Sequence, residues 1–307
     1  MNQFKKRISR KHLLGSRVLM LSLLAIHAYG DPDAKEKQGD AAIQAIGFRG
    51  QIYTPAPGVT KQTLLYKSTK QRELNMHIHF PAGWKSSDQR PVMVFFFGGG
   101  WKKGTTQQFL IQSNYFASRG IVCARPEYRL TTQEGVSIDH CVEDARSAVR
   151  WVRENADKLG IDPNEVIASG GSAGGHLAFC TSIEESLDGT TDNLDHSSIP
   201  QAMVLYNPGL FYQDTPEVQD KLMNEIGKIS PLNHVTKSTP PTLILFGTKD
   251  KLKRGADEYM KLAKERGVHA ELWLAPDQGH GFFNAEPWLS ETNQEVDRFL
   301  TSLGYLE

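Results

Sequence analysis

The sequence predicts an α/β protein with a mostly parallel, doubly wound sheet, an N-terminal antiparallel hairpin and a short helical insertion. Three observations carry this. Six short apolar runs recur between residues 91 and 275, each too continuous for a sheet with one wet face and fitting strands buried on both faces. Segments with apolar residues at helical spacing separate most of them, and strand, helix, strand alternation builds a parallel sheet with right-handed crossovers. Ahead of these runs the pattern alternates at period two instead.

The alternating pair is "TLLYK" (Thr63 to Lys67) and "ELNMHIHF" (Glu73 to Phe80) around a polar "STKQR", the signature of a hairpin. The buried runs follow as "PVMVFFF" (Pro91 to Phe97), "IVCARPEY" (Ile121 to Tyr128), "VIAS" (Val166 to Ser169), "AMVLYN" (Ala202 to Asn207), "TLILFG" (Thr242 to Gly247) and "AELWLA" (Ala270 to Ala275). The clearest helix is Asp139 to Gly160: Val142, Ala145, Val149 and Val152 share one face, Asp139 is placed to cap it, and Gly160 followed by Pro163 closes it. "FYQDTPEVQDKLMNEIGKISPLN" (Phe211 to Asn233) breaks the rhythm and reads as the helical insertion above the sheet.

With 307 residues, 39% of them hydrophobic and 23% charged, the chain can bury one large core. Residues 1–30 carry Lys5, Lys6, Arg7, Arg10, Lys11 and Arg17 and no acid, then the apolar run Val18 to Ala28 and "AYG". That order reads as a secretory signal cleaved after Gly30, because the run falls short of the roughly 20 residues that span a bilayer. Residues 31–60 read as a polar leader that wraps the domain or stays mobile, and residues 61–307 as the catalytic domain. Without the six basic residues of the signal, 29 bases face 35 acids, so no nucleic-acid partner, no stable membrane anchor and a secreted or periplasmic location are expected. Cys123, Cys141 and Cys180 lie in or beside apolar segments and read as buried free thiols.

One stretch concentrates the chemistry. In "VIASGGSAGGHLAF" (Val166 to Phe179), Gly170, Ser172 and Gly174 form G-x-S-x-G between a buried strand and a helix start, the setting in which a serine rides a strained turn above the sheet. Side chains at Gly170 or Gly174 would collide with the neighbouring strand and helix. A serine hydroxyl needs a base, and the base needs an orienting acid. Asp250 follows the run "LILFG" and His280 lies in the loop after the next run, both beyond carboxyl ends of parallel strands, where sites of open sheets form. Asp277 is the second-ranked acid. "FFFGGGW" (Phe95 to Trp101) adds backbone donors: the N–H groups of Gly99, Gly100 and Ala173 are candidates to receive an oxyanion.

These motifs in this order resemble the α/β-hydrolase superfamily, closest to its hormone-sensitive-lipase-like and bacterial acetyl or feruloyl esterase branch, over about residues 60 to 305. "RPEYRL" (Arg125 to Leu130) resembles the branch's D-Y-R-L segment with Glu127 at the usual Asp, and Phe97 stands where the branch usually has histidine. The resemblance implies an α/β-hydrolase fold, with Ser172 as nucleophile, His280 as base, Asp250 as orienting acid and Gly99, Gly100 and Ala173 as oxyanion donors. It also implies a serine carboxylesterase that needs no cofactor and takes small acyl esters, such as acetyl or feruloyl groups on carbohydrate. A serine peptidase-like hydrolase and an inactive scaffold used for binding are the alternatives, and the glycine loop at Phe97 must be braced without histidine.

Trp101, Phe211, Tyr212 and Phe282 are candidates to line the substrate pocket. His77 and His79 share one strand face, but no third ligand is identifiable, so no metal site is expected. His176 reads as a packing or surface residue.

Overall fold

The computed structural model describes residues 44–183, 187–210 and 227–307. The first described strands, β1 (Ala45–Ile46) and β2 (Ile52–Tyr53), pair antiparallel as a small sheet of their own. The main sheet is built from β3 (Thr60–Ser68), β4 (Glu73–Phe80), β5 (Arg90–Phe96), β6 (Val122–Pro126), β7 (Ile161–Gly171), β8 (Ala202–Tyr206), β9 (Thr242–Gly247) and β10 (Ala270–Ala275). Their order is β10-β9-β8-β7-β5-β6-β4-β3. Strands β5 to β10 run parallel, and the β3–β4 hairpin joins the edge of β6 antiparallel.

Six helices flank this sheet among the described residues: α1 (Leu110–Ser118), α2 (Ile138–Glu154), α3 (Ala156–Leu159), α4 (Ala173–Cys180), α5 (Lys253–Arg266) and α6 (Trp288–Ser302). They divide between the faces. Val142, Val149 and Val152 of α2, Leu177 of α4 and Tyr259 of α5 pack over Val94, Phe96 and Ile244 on one side. Phe116 of α1 and Phe299 of α6 pack over Met93, Phe95 and Leu245 on the other. Each central strand therefore has apolar neighbours above and below, which is why its sequence shows no polar alternation.

Some boundaries differ from the sequence reading. The long helix breaks at Asn155, whose side-chain amide donates to the Trp151 carbonyl at 2.8 Å and whose φ of −103° and ψ of 20° leave the helical region. Its N-cap is Ser137 rather than Asp139, with the Ser137 amide donating to His140 Nδ1 at 3.1 Å. Gly160 does close the second piece, at φ 62°. Residues 44–60, expected as leader, fold against the sheet domain: Gly47 abuts Ile111 of α1, and the Ala56 amide donates to Asn114 at 3.2 Å. Of the expected insertion, residues 211–226 lie outside the described residues, Phe211 and Tyr212 among them. The remainder forms two short 3-10 turns, Gly227–Ile229 and Pro231–His234.

The chain crosses from one side of β5 to the other between β6 and β7. Loops leaving the carboxyl ends of β5 and β7 therefore diverge and leave a crevice between them. Both glycine-rich segments sit at that crevice.

Candidate active site

Strand β7 ends at Gly171, and α4 begins at Ala173, so Ser172 is the whole connection. Its φ of 54° and ψ of −116° are strained for a residue with a Cβ. Backbone bonds hold the strain: Ser172 N donates to the Tyr206 carbonyl at 2.9 Å, and the Ser172 carbonyl accepts from His176 and Gly209 at 3.0 and 3.1 Å. A Cβ at Gly174 would lie 2.0 Å from the Phe96 carbonyl oxygen, and one at Gly170 would lie 2.3 Å from that of Gly174. The glycines thus let strand, turn and helix approach closely enough to lift the hydroxyl clear of the sheet.

His280 Nε2 lies 2.8 Å from Ser172 Oγ, and its Nδ1 lies 2.7 Å from Asp250 Oδ2. Residues 108 and 30 positions apart in sequence are brought into one hydrogen-bonded chain. A carboxylate only accepts, so Nδ1 carries the proton and Nε2 presents its lone pair to the hydroxyl. The Asp250 side chain is 1% exposed, and its other oxygen accepts from the Leu252 amide at 2.9 Å. Asp277, the second-ranked acid, points away and pairs with Lys249 at the surface.

Opposite, the loop after β5 runs through Gly99, Gly100 and Trp101 at φ 130°, 65° and 59°. Gly98 packs against the serine turn, where a Cβ would come within 3.3 Å of Ser172 Cβ. The brace that replaces histidine at position 97 is Tyr128. Its ring stacks on Phe97 with centroids 4.1 Å apart, and its hydroxyl donates to the Phe97 carbonyl at 2.7 Å. Glu127 beside it pairs with Arg72, while Arg129 makes a buried bidentate pair with Asp144 at 2.8 and 2.7 Å.

Three amide side chains connect this loop to the histidine. Gln108 accepts from the Gly98 amide at 2.6 Å and donates to Asn284 at 3.2 Å; Asn284 donates to the Gly281 carbonyl at 2.9 Å. The Gly281 amide donates to Asn207 at 3.0 Å, and Asn207 Nδ2 lies 3.5 Å from His280 Nε2. Sequence reasoning missed all three, and also Phe48 and Arg49 of the N-terminal turn, which line the cavity above Ser172. That cavity has a volume of about 410 Å³ and includes Gly99, Gly100, Ser172 and His280 in its wall.

Trp101 and Phe282 are not among the described residues lining it. Trp101 turns edge-on to His176, 5.3 Å between centroids. Phe282 packs with Trp273 and Trp288, and the next residue, Phe283, reaches the cavity instead, stacked on Phe109 at 5.6 Å. His176 is fully buried, with Nε2 2.9 Å from the Ile229 carbonyl, and burial lowers its pKa to about 4. His79 is also buried, its pKa lowered to about 3 chiefly by desolvation. Among the described residues, no group of three or more His, Cys, Asp or Glu is placed to hold a metal ion. The three cysteines are free and buried.

A model of the BD-FAE family matches residues 76–206. Esterase 2 of Thermogutta terrifontis, in a structure phosphoramylated by tabun, is 37% identical with a TM-score of 0.75; the match covers 81% of this chain and 96% of that one. Its propionate-bound structure is 36% identical with the same TM-score and coverage. Carboxylesterase NlhH of Mycobacterium tuberculosis is 28% identical over 226 residues, 64% of this chain and 68% of that protein.

Proposed function

The chain belongs to the α/β-hydrolase esterases of the hormone-sensitive-lipase-like branch and is a carboxylic ester hydrolase, and on that premise we propose that it is a serine esterase working through an acyl-enzyme. The observation that carries the reading is the hydrogen-bonded chain from Ser172 Oγ through His280 to Asp250, at 2.8 and 2.7 Å. Ser172 Oγ attacks the ester carbonyl carbon while His280 Nε2 takes its proton. The N–H groups of Gly99, Gly100 and Ala173 receive the negative oxygen of the tetrahedral intermediate, each worth about 2.7–4 kcal/mol of transition-state stabilisation. The intermediate collapses, and the same imidazole returns the proton to the departing alcohol. Water then attacks the acyl carbon, again giving its proton to His280, and a second collapse releases the acid and restores the Ser172 hydroxyl. Asp250 keeps the imidazole in the tautomer both halves require and stabilises the imidazolium that forms.

The substrate class proposed is a small acyl ester, such as an acetyl or feruloyl group on carbohydrate. The cavity size and the propionate-bound relative support a short acyl group. The basic, apolar and small-residue order of residues 1–30 supports export to the periplasm or beyond. The test is kcat/KM across esters in which acyl length and alcohol vary separately, measured beside Ser172→Ala. The reading requires short acyl esters to be preferred and Ser172→Ala to lose at least about 10⁴-fold in kcat; equal rates on long-chain lipid esters would contradict the substrate class.

A further inference from the structure

The cavity over Ser172 has an unusual charge distribution. Apart from His280, the ionisable side chains in its described wall are Arg49 and Lys103, and no Asp or Glu is among them. Neither cation forms an ion pair with a described residue, whereas Arg72, Arg90, Arg119, Arg129, Arg146, Arg150 and Arg298 all do. Both side chains are exposed, on backbone anchored near the site. Arg49 sits at φ 57° in a turn closed by Gly47 N donating to the Gln51 carbonyl at 2.6 Å. Gln51 ties that turn to the catalytic loop by donating to the Asn284 carbonyl at 2.7 Å. The Arg49 guanidinium lies 5.1 Å from the centroid of the Phe48 ring, a cation–π distance that orders it without neutralising it. The Lys103 amide donates to the Gly99 carbonyl at 3.2 Å, which fixes its backbone to the candidate oxyanion loop.

Unpaired cations on a concave wall raise the local concentration of anions, and a guanidinium matches a carboxylate in a forked pair. We propose that Arg49 and Lys103 form an anion subsite and that the ester this enzyme prefers carries a carboxylate. The proposal rests on the esterase reading above and extends it to the charge of the substrate. Hydrolysis adds no second carboxylate to the substrate before the acyl-enzyme forms, so the subsite recognises a group already present in one half of the ester.

The test uses the full-length protein and two matched pairs. Acetoxybenzoate against acetoxybenzamide places the carboxylate on the alcohol half; mono-nitrophenyl succinate against nitrophenyl butyrate places it on the acyl half. The readout is the ratio of kcat/KM for the anionic ester over its neutral twin. In the Arg49→Gln, Lys103→Gln double variant that ratio falls about three- to tenfold for one pair, and the pair that responds identifies the half that reaches the subsite. Arg49→Lys, which keeps the charge but loses the fork, lowers the ratio less than Arg49→Gln does. Raising salt from about 20 mM to about 500 mM shrinks the wild-type ratio, as screening requires. A double variant with the wild-type ratio in both pairs overturns the subsite alone. Wild-type protein that hydrolyses none of the four esters, anionic or neutral, overturns the esterase reading and the subsite with it.

Discussion

At Asp250 both carboxylate oxygens are engaged, one by the Leu252 amide and the other by His280 Nδ1. Asp250→Asn keeps the shape but can turn an N–H toward Nδ1, favouring the wrong imidazole tautomer. Esterase kcat falls about 10³–10⁴-fold while the circular dichroism spectrum and melting temperature stay close to wild type; a variant with near-normal kcat would remove Asp250 from the mechanism. Tyr128 has a smaller, separable effect. Tyr128→Phe keeps the stack on Phe97 and deletes the bond to its carbonyl, costing about 0.5–1.5 kcal/mol of stability. The account requires kcat for small esters to fall with it, and a purely structural tyrosine would move stability alone. Ser172, Asp250 and His280 were legible because each lies just past a strand whose sequence announces it. Gln108, Asn207 and Asn284 were not, since their partners are set by tertiary approach: the Gln108 to Asn284 bond joins residues 176 apart.

Among elements, the turn from β7 through Ser172 into α4 tolerates little change. Gly174→Ala would set a Cβ 2.0 Å from the Phe96 carbonyl oxygen and 2.5 Å from that of Phe97, and backbone cannot yield as a side-chain tip can. A loss of about 3 kcal/mol or an insoluble protein is expected. Gly279→Ala is the control, because nothing lies within 4 Å of the Cβ it adds, and chemical denaturation should place it within about 0.5 kcal/mol of wild type. If both variants denature alike, close approach is not what Gly174 provides. The parallel strands could be read from the sequence because burial on both faces suppresses polar alternation. The break at Asn155 could not, since the apolar stripe and charged face pass through it with little disturbance; the cause is a side-chain bond to Trp151. That residues 44–60 wrap the domain is one of the two courses expected of the leader; the anchors at Ile111, Asn114 and Asn284 were hidden because they are remote in sequence.

For the whole molecule, two buried imidazoles set a pH dependence. Burial holds His176 and His79 neutral in the fold, with pKa values lowered to about 4 and about 3, while in the unfolded chain each takes up a proton near pH 6.5. Below that pH the unfolded state binds more protons, so stability falls as pH drops, by up to about 1.4 kcal/mol per pH unit for each histidine, until the folded pKa is reached. Urea titrations between pH 7 and pH 4 should show this slope. Neither ring nitrogen of His79 has a hydrogen-bond partner among the described residues, so His79→Leu should reduce the slope with little cost at pH 7; an unchanged slope would exclude that histidine as a source. The central claim, however, concerns where the acyl group goes. A fluorophosphonate that traps the nucleophile, followed by intact-mass measurement and peptide mapping, tests it most directly. One adduct per chain on Ser172, absent from Ser172→Ala, is the result the mechanism demands, whereas an adduct on another residue, or ester turnover that survives Ser172→Ala, contradicts it.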